Sequence, residues 1–174
     1  IPKKIFITGG TGSVGQYLIN LLLESTHAHL YLLIRTESRL RKVYRDNNRV
    51  HPIFKPLEAL ESYKAELSAC DVLIHIATSW CNNDSAMKTN YDHTLKLLKI
   101  AEEGSCKKII YFSTASVLNQ KNELNPEAIK YGPMYVHSKY KAFEKISTLN
   151  YKTPIYTLFP SLVLGGNSNI FYSH

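Results

Sequence analysis

Residues Lys3–Leu18 read KKIFITGGTGSVGQYL. A short apolar run gives way to four glycines within seven residues, Gly9, Gly10, Gly12 and Gly15, and an apolar pattern then resumes. KIFIT reads as a strand. SVGQYLINLLLES places Val14, Leu18, Leu21 and Leu22 at helical spacing. The glycines therefore fall at a strand-to-helix turn, where backbone must come close to something that side chains would keep away.

Working outward, the same alternation repeats. HLYLLIR is strand-like, RVHPIF is a weaker strand interrupted by proline, and DVLIHIA is a continuous apolar strand. The stretch from Asp84 to Gly104 reads as a long helix, with Met87, Tyr91, Leu95, Leu98 and Ala101 on one face and Gly104 as its stop. KKIIYFST is another buried strand, MYVHSKYKAFEKIST a helix and PIYTLFP a last strand. Strands without period-2 alternation, separated by helices, predict a parallel sheet covered on both faces. The fold class is thus α/β, a doubly wound parallel sheet (Rossmann fold), and residues 1–174 are expected to form one domain. The longest irregular segment runs from about Ser116 to Pro133.

In this context Gly10-x-Gly12-x-x-Gly15, overlaid by Gly9-x-x-Gly12-x-x-Gly15, is the dinucleotide spacing. The first glycines make the turn, Gly12 lets N–H groups reach a pyrophosphate, and Gly15 lets helix and strand pack closely. The helix N-terminus adds donors and partial positive charge. No Gly-Lys-Ser/Thr occurs, which excludes a P-loop. A carboxylate about 20 residues after the glycines would accept from the ribose of NAD; that position holds Arg35. Arginine cannot accept a hydrogen bond but pairs with a 2′-phosphate, and Arg39, Arg41 and Lys42 follow closely. The expected cofactor is NADP(H), with NAD as the alternative in which Arg35 only ends the strand in solvent.

The chain carries a net charge of +7, much of it in Arg39–Arg49, with five basic residues and one acidic one. No aromatic-basic motif accompanies this run, so a solvated face is expected rather than a nucleic-acid site. Cys70, Cys81 and Cys106 match no metal or CxxC spacing, and the histidines form no HxH or HxxxH pair, so no metal is expected. Neither a membrane span nor a secretory h-region is visible, and a cytoplasmic location is expected.

YVHSK places Tyr135 and Lys139 one helical turn apart. The spacing alone says little. Its place does more, because the helix follows a strand ending YFSTASV, whose hydroxyls belong at the carboxyl edge where such folds bind ligands. TGGTGSVG, DVLIHIA, YFSTASV, YVHSK and LFPSLVLG, in this order from Lys3 to about Gly165, resemble the extended short-chain dehydrogenase/reductases. That family includes NAD-dependent epimerases and dehydratases and the dihydroflavonol reductase-like enzymes.

The resemblance implies roles. Tyr135 would be the acid/base, its pKa lowered by Lys139, which would also bond the nicotinamide ribose. Thr114 would hold the substrate oxygen, with Ser113 as the nearby alternative. Asn90 matches an asparagine that supports a relay water, or is a polar residue on a half-buried helix. Gly9, Thr11, Gly12, Ser13, Val14 and Gly15 match the phosphate loop. Leu57 matches the adenine pocket, Ala77 and Thr78 the ribose side, and Leu162 and Val163 the carboxamide segment. There are departures: Pro56 replaces the usual aspartate before the adenine pocket, Leu118 and Asn119 replace Tyr-Gly, and His93 and Thr94 replace Gly-Thr.

The resemblance also implies a C-terminal substrate lobe, which is largely absent because the chain stops at His174; a partial record of a longer protein is expected. The implied activity is an NADP(H)-dependent oxidoreductase acting on a small carbonyl or alcohol. The alternatives are an NAD-dependent nucleotide-sugar epimerase or dehydratase and a non-catalytic dinucleotide sensor. A homodimer through the Met87–Glu102 and Tyr135–Ser147 helices is the implied partnership.

Overall fold

The computed structural model describes residues 3–163. Six strands form one parallel sheet in the order β3-β2-β1-β4-β5-β6: β1 (Lys4–Thr8), β2 (His29–Ile34), β3 (Val50–Phe54), β4 (Val72–His75), β5 (Lys108–Phe112) and β6 (Ile155–Leu158). This is the doubly wound arrangement, with the strand order reversing between β1 and β4. All six strands lie where the sequence places them. Among the described residues β3 pairs only with β2, so Pro52 costs the sheet little at its edge.

The apolar runs are continuous because both faces are covered. Ile5 and Ile7 of β1 enter one core with Ile19, Leu30 and Leu32; Phe6 enters the other with Tyr63, Leu67, Leu73 and Tyr111. The helices are α1 (Ser13–Ser25), α2 (Lys42–Arg45), α3 (Lys64–Ser68), α4 (Asp84–Met87), α5 (Thr94–Glu103), α6 (Glu127–Tyr131) and α7 (Met134–Thr148). A π-helical stretch, Lys88–His93, joins α4 to α5.

Two expectations change in detail. The segment from Ser116 to Pro133 is not structureless: Leu118 bridges Leu124, α6 follows, and Val117, Ala128, Val136 and Tyr140 make a small core of their own. The basic run from Arg39 to Arg49 is also ordered. Arg45 pairs with Glu37, while Arg49 donates to the carbonyls of Leu23 and Thr26 at the end of α1, where a cation suits the helix dipole.

Candidate active site

The glycine turn connects β1 to α1 at the carboxyl edge of the sheet. Gly9 has φ +75°, a conformation that side chains rarely adopt, and a Cβ there would lie 2.6 Å from the Ala77 nitrogen. A Cβ on Gly15 would lie 2.3 Å from the Gly9 carbonyl oxygen. Turn, helix and β4 therefore touch through bare backbone. Gly12 caps α1 without a side-chain hydrogen bond, and the first turn carries no acidic residue. The opening N–H groups of α1 thus keep the donors and partial positive charge that suit a phosphate. Beyond Gly12 a Cβ would meet only the Gly9 oxygen, at 3.5 Å, so the space is open.

Beside this turn lies a small cleft lined by Gly10, Thr11, Gln16, Leu40, Arg39 and Arg41, among others. Arg35 follows directly after β2 as an exposed residue. Of the cations expected there, Arg39 and Arg41 line this cleft. Leu57 is buried in the main core, where its carbonyl accepts from the Tyr63 hydroxyl. Leu162 and Val163 are exposed.

At the switch between β1 and β4, polar side chains are buried together. The Thr8 hydroxyl receives the N–H groups of Ile76 and Ala77, both at 3.2 Å, so its proton points to His75 Nδ1 at 2.6 Å. His75 Nε2 then donates to Thr94 Oγ1 at 2.9 Å, and Thr94 donates to the Thr89 carbonyl at 3.2 Å. Burial pushes His75 down to about 3, so the imidazole is neutral. Thr94 takes up a carbonyl of the π turn, and that turn aims Asn90 inward. Asn90, fully buried, receives the Thr78 hydroxyl and the Ser79 N–H on Oδ1 and donates from Nδ2 to the Ser79 carbonyl and Ser138 Oγ, at 2.8–3.0 Å. Ser138 in turn donates to the Tyr135 carbonyl. Asn90 thus joins the loop after β4 to the turn of α7 that carries Tyr135.

Lys139 is 1% exposed, and its Nζ donates to the Phe112 carbonyl at 2.8 Å beneath the edge of β5. The ammonium also lies 4.9 Å from the Tyr111 ring centroid. Burial lowers it to about 7. An ammonium has three donors; among the described residues it uses one. Tyr135, one turn earlier, is half-buried. Burial raises its phenol and Thr114 opposes the rise, so in the chain alone desolvation outweighs any stabilisation of phenolate by Lys139. Thr114 also caps the turn at Ala115–Val117 by accepting from the Ser116 N–H. Ser113 Oγ and Tyr111 Oη are buried with no hydrogen-bond partner among the described residues.

The fold thus brings Tyr135, Lys139, Thr114, Ser113, Asn90, Ala77, Thr78 and the glycines to one sheet edge. Sequence reasoning missed the supports: Thr8, His75, Ser79 and Ser138, and the stacking of Trp80 on Tyr135 at 4.0 Å between centroids. Ser138 stands inside YVHSK, but nothing in that motif points across to Asn90. Among the described residues, no helix is long and apolar enough to cross a membrane, and no group of three or more His, Cys, Asp or Glu is placed to hold a metal.

Comparison with known proteins agrees with this geometry. A ketoreductase of Stigmatella aurantiaca acting on 4-hydroxy-2-methyl-3-oxo-4-farnesyl-3,4-dihydroquinoline-1-oxide is 30% identical over 118 residues, 66% of this chain and 34% of that protein. A decarboxylating sterol-4-alpha-carboxylate 3-dehydrogenase of Dictyostelium discoideum is 27% identical over 154 residues, 83% of this chain and 46% of that protein. Among solved structures, the Bordetella bronchiseptica enzyme WbmG in complex with NAD and UDP superimposes with a TM-score of 0.74 at 17% identity, covering 91% of this chain and 53% of that one. The chain spans about a third to a half of the length of the curated relatives it matches. The model of the NAD dependent epimerase/dehydratase family matches residues 5–154, and with the glycine turn and the Tyr135–Lys139 helix at one sheet edge, the chain belongs to that family of NAD(P)-dependent enzymes.

Proposed function

We propose that the chain is the dinucleotide-binding part of an NADP(H)-dependent oxidoreductase that interconverts a carbonyl and an alcohol. The observation that carries this reading is the buried Lys139, whose two spare donors stand one helical turn from Tyr135 at the edge where the glycine turn opens. Two spare donors on a buried ammonium suit a pair of ribose hydroxyls. The open backbone of Gly12–Gly15 suits the pyrophosphate, and Arg39 and Arg41 suit a 2′-phosphate. Bound, the dinucleotide would supply the hydride donor or acceptor and, when oxidised, a positive ring.

The remaining work falls to this chain. Thr114 would hold the substrate oxygen by a hydrogen bond, with Ser113 behind it. In reduction, Tyr135 would donate its proton to the developing alkoxide; its raised pKa keeps that proton in place until it is needed. In oxidation it would have to lose the proton first, with the Lys139 cation one helical turn along α7. Asn90 would act as a positioning residue, because all four of its hydrogen bonds go to protein groups. The names of the two curated relatives, a ketoreductase and a 3-dehydrogenase, support carbonyl–alcohol chemistry. A nucleotide-sugar epimerase is the second reading, favoured by the NAD and UDP bound to WbmG.

The test is oxidation of NADPH by the full-length protein in the presence of ketones. Tyr135→Phe should keep cofactor affinity and lower kcat by about 10²–10⁴-fold. Undiminished turnover in that variant would remove Tyr135 from the chemistry.

A further inference from the structure

The loop between β4 and α4 is clamped at two points. Ser79 exchanges both its backbone groups with Asn90 at 2.8 Å, and Asn82 Oδ1 receives the Met134 N–H at the start of α7, 2.9 Å away. Between the clamps stands Trp80, the single tryptophan of the chain. One face of its indole lies on the Tyr135 ring, with centroids 4.0 Å apart and planes inclined by 24°. The rest is in solvent: the residue is 72% exposed. A fixed loop that presents most of an indole to water, against the one tyrosine assigned to proton transfer, is a surface built to be covered.

We infer that Trp80 is a specificity-determining residue, a platform for a flat apolar group borne by the reacting carbon of the substrate. The inference rests on the reading above. A carbonyl oxygen within reach of Tyr135 Oη and Thr114 places its substituents beside the indole, because indole and phenol are in contact. A planar aromatic or fused-ring substituent gains stacking there, and a short alkyl group gains little. The indole offers one N–H donor and no charge, so it favours hydrocarbon faces over polyhydroxylated ones.

The test uses the full-length protein saturated with oxidised dinucleotide, so that ketone binds without turnover. Calorimetry then compares 2-acetylnaphthalene with 2-butanone on wild type, Trp80→Phe and Trp80→Ala. Thermal melts of the two variants check that neither change disturbs folding. Trp80→Ala should weaken 2-acetylnaphthalene about tenfold and Trp80→Phe less than about threefold, while 2-butanone and dinucleotide affinities stay within about twofold. No loss for the naphthyl ketone, or an equal loss for both ketones, overturns the platform; so does a wild type that binds neither. A second measurement is Trp80 fluorescence, taken as the difference between the emission of wild type and that of Trp80→Phe. It should be that of a solvated indole and shift on adding the naphthyl ketone. Emission already blue and unresponsive would show that another part of the protein covers Trp80, which also overturns the inference. If the binding pattern holds but neither ketone oxidises NADPH, the platform stands and the oxidoreductase reading falls. Turnover with Trp80-independent binding gives the converse.

Discussion

The glycine turn and the Tyr135–Lys139 turn share one sheet edge, yet they are made in opposite ways. The first is built by leaving side chains out: Gly9 and Gly15 let three backbone segments meet, and its charged side chains, Arg35, Arg39 and Arg41, are exposed. The second is built by crowding polar side chains in: Thr8, His75, Asn90, Thr94, Ser113, Thr114, Ser138 and Lys139 are all buried. A backbone site fails by steric intrusion, at any pH. A buried polar site fails by proton or partner loss, and its failures depend on pH and on chemically similar replacements.

The largest effect should come from intrusion. Gly→Ala inside a helix ordinarily stabilises by up to about 1 kcal/mol. At Gly15 the sign should reverse, since the new Cβ meets carbonyl and Cα atoms of Gly9 and Gly10 closer than 3 Å and backbone must move. Gly15→Ala should cost at least about a hundredfold in dinucleotide affinity, together with a lowered Tm, because shifting the turn disturbs every phosphate donor at once. NADPH fluorescence titration and thermal melts check this. Wild-type affinity in the variant would mean that helix and turn are not in contact, and the contrast between the two sites would lose its first half.

The second site should reveal itself by acid. His75 is fully buried and held neutral, with its pKa about 3 against an ordinary value of 6.5. A depressed histidine stabilises the fold above the unfolded pKa, and that contribution is lost as pH falls from 6.5 toward 3, where the unfolded chain takes up a proton and the native one does not. By pH 5 the loss should be about 2 kcal/mol relative to pH 7. His51 is also lowered and adds in the same sense, so the diagnostic is a difference. His75→Asn keeps an acceptor and a donor but cannot titrate; it should be less stable than wild type at pH 7 and lose less between pH 7 and 5. Urea midpoints at the two pH values measure this. Parallel pH dependences would show that His75 is not the buried neutral group described.

That asymmetry also explains what could be read in advance. Apolar runs and glycine spacing report backbone and core, so six strands, α1, α7 and the glycine turn were legible from residue order alone. Pro52 marked β3 as the weaker strand, and the sheet order puts that strand at the edge. Buried polar links join residues far apart in the chain, Thr8 to His75, Asn90 to Ser138, and no local pattern encodes them. DVLIHIA reads as an apolar strand although its histidine anchors the junction. The π turn at Lys88–His93 was equally silent: it carries Asn90 to partners at Ser79 and Ser138, which local propensity does not report. The stacking of Trp80 on Tyr135 likewise needs both segments in place, and no local pattern encodes it.

The smallest expected effect is the most selective, and it returns to the glycine side. Sequence spacing singles out Arg35, whereas the cleft beside Gly10 and Thr11 is lined by Arg39 and Arg41. All three are exposed, so each contact with a 2′-phosphate would be a solvent-screened, charge-assisted hydrogen bond. Such a bond is worth on the order of 1 kcal/mol, or about fivefold to tenfold in affinity. Arg39→Ala and Arg41→Ala should each weaken NADPH by about that factor and leave NADH unchanged. Arg35→Ala should weaken NADPH by no more than either. The preference for NADPH over NADH should also shrink as ionic strength rises, because the extra contact is electrostatic while the backbone contacts at Gly12–Gly15 are common to both dinucleotides. Equal binding of the two cofactors by wild type, unaltered by any of the three substitutions, would make the cationic rim a solvated surface and return the cofactor to NAD. A loss confined to Arg35→Ala would instead move the 2′-phosphate contact back to the end of β2, where residue spacing first put it.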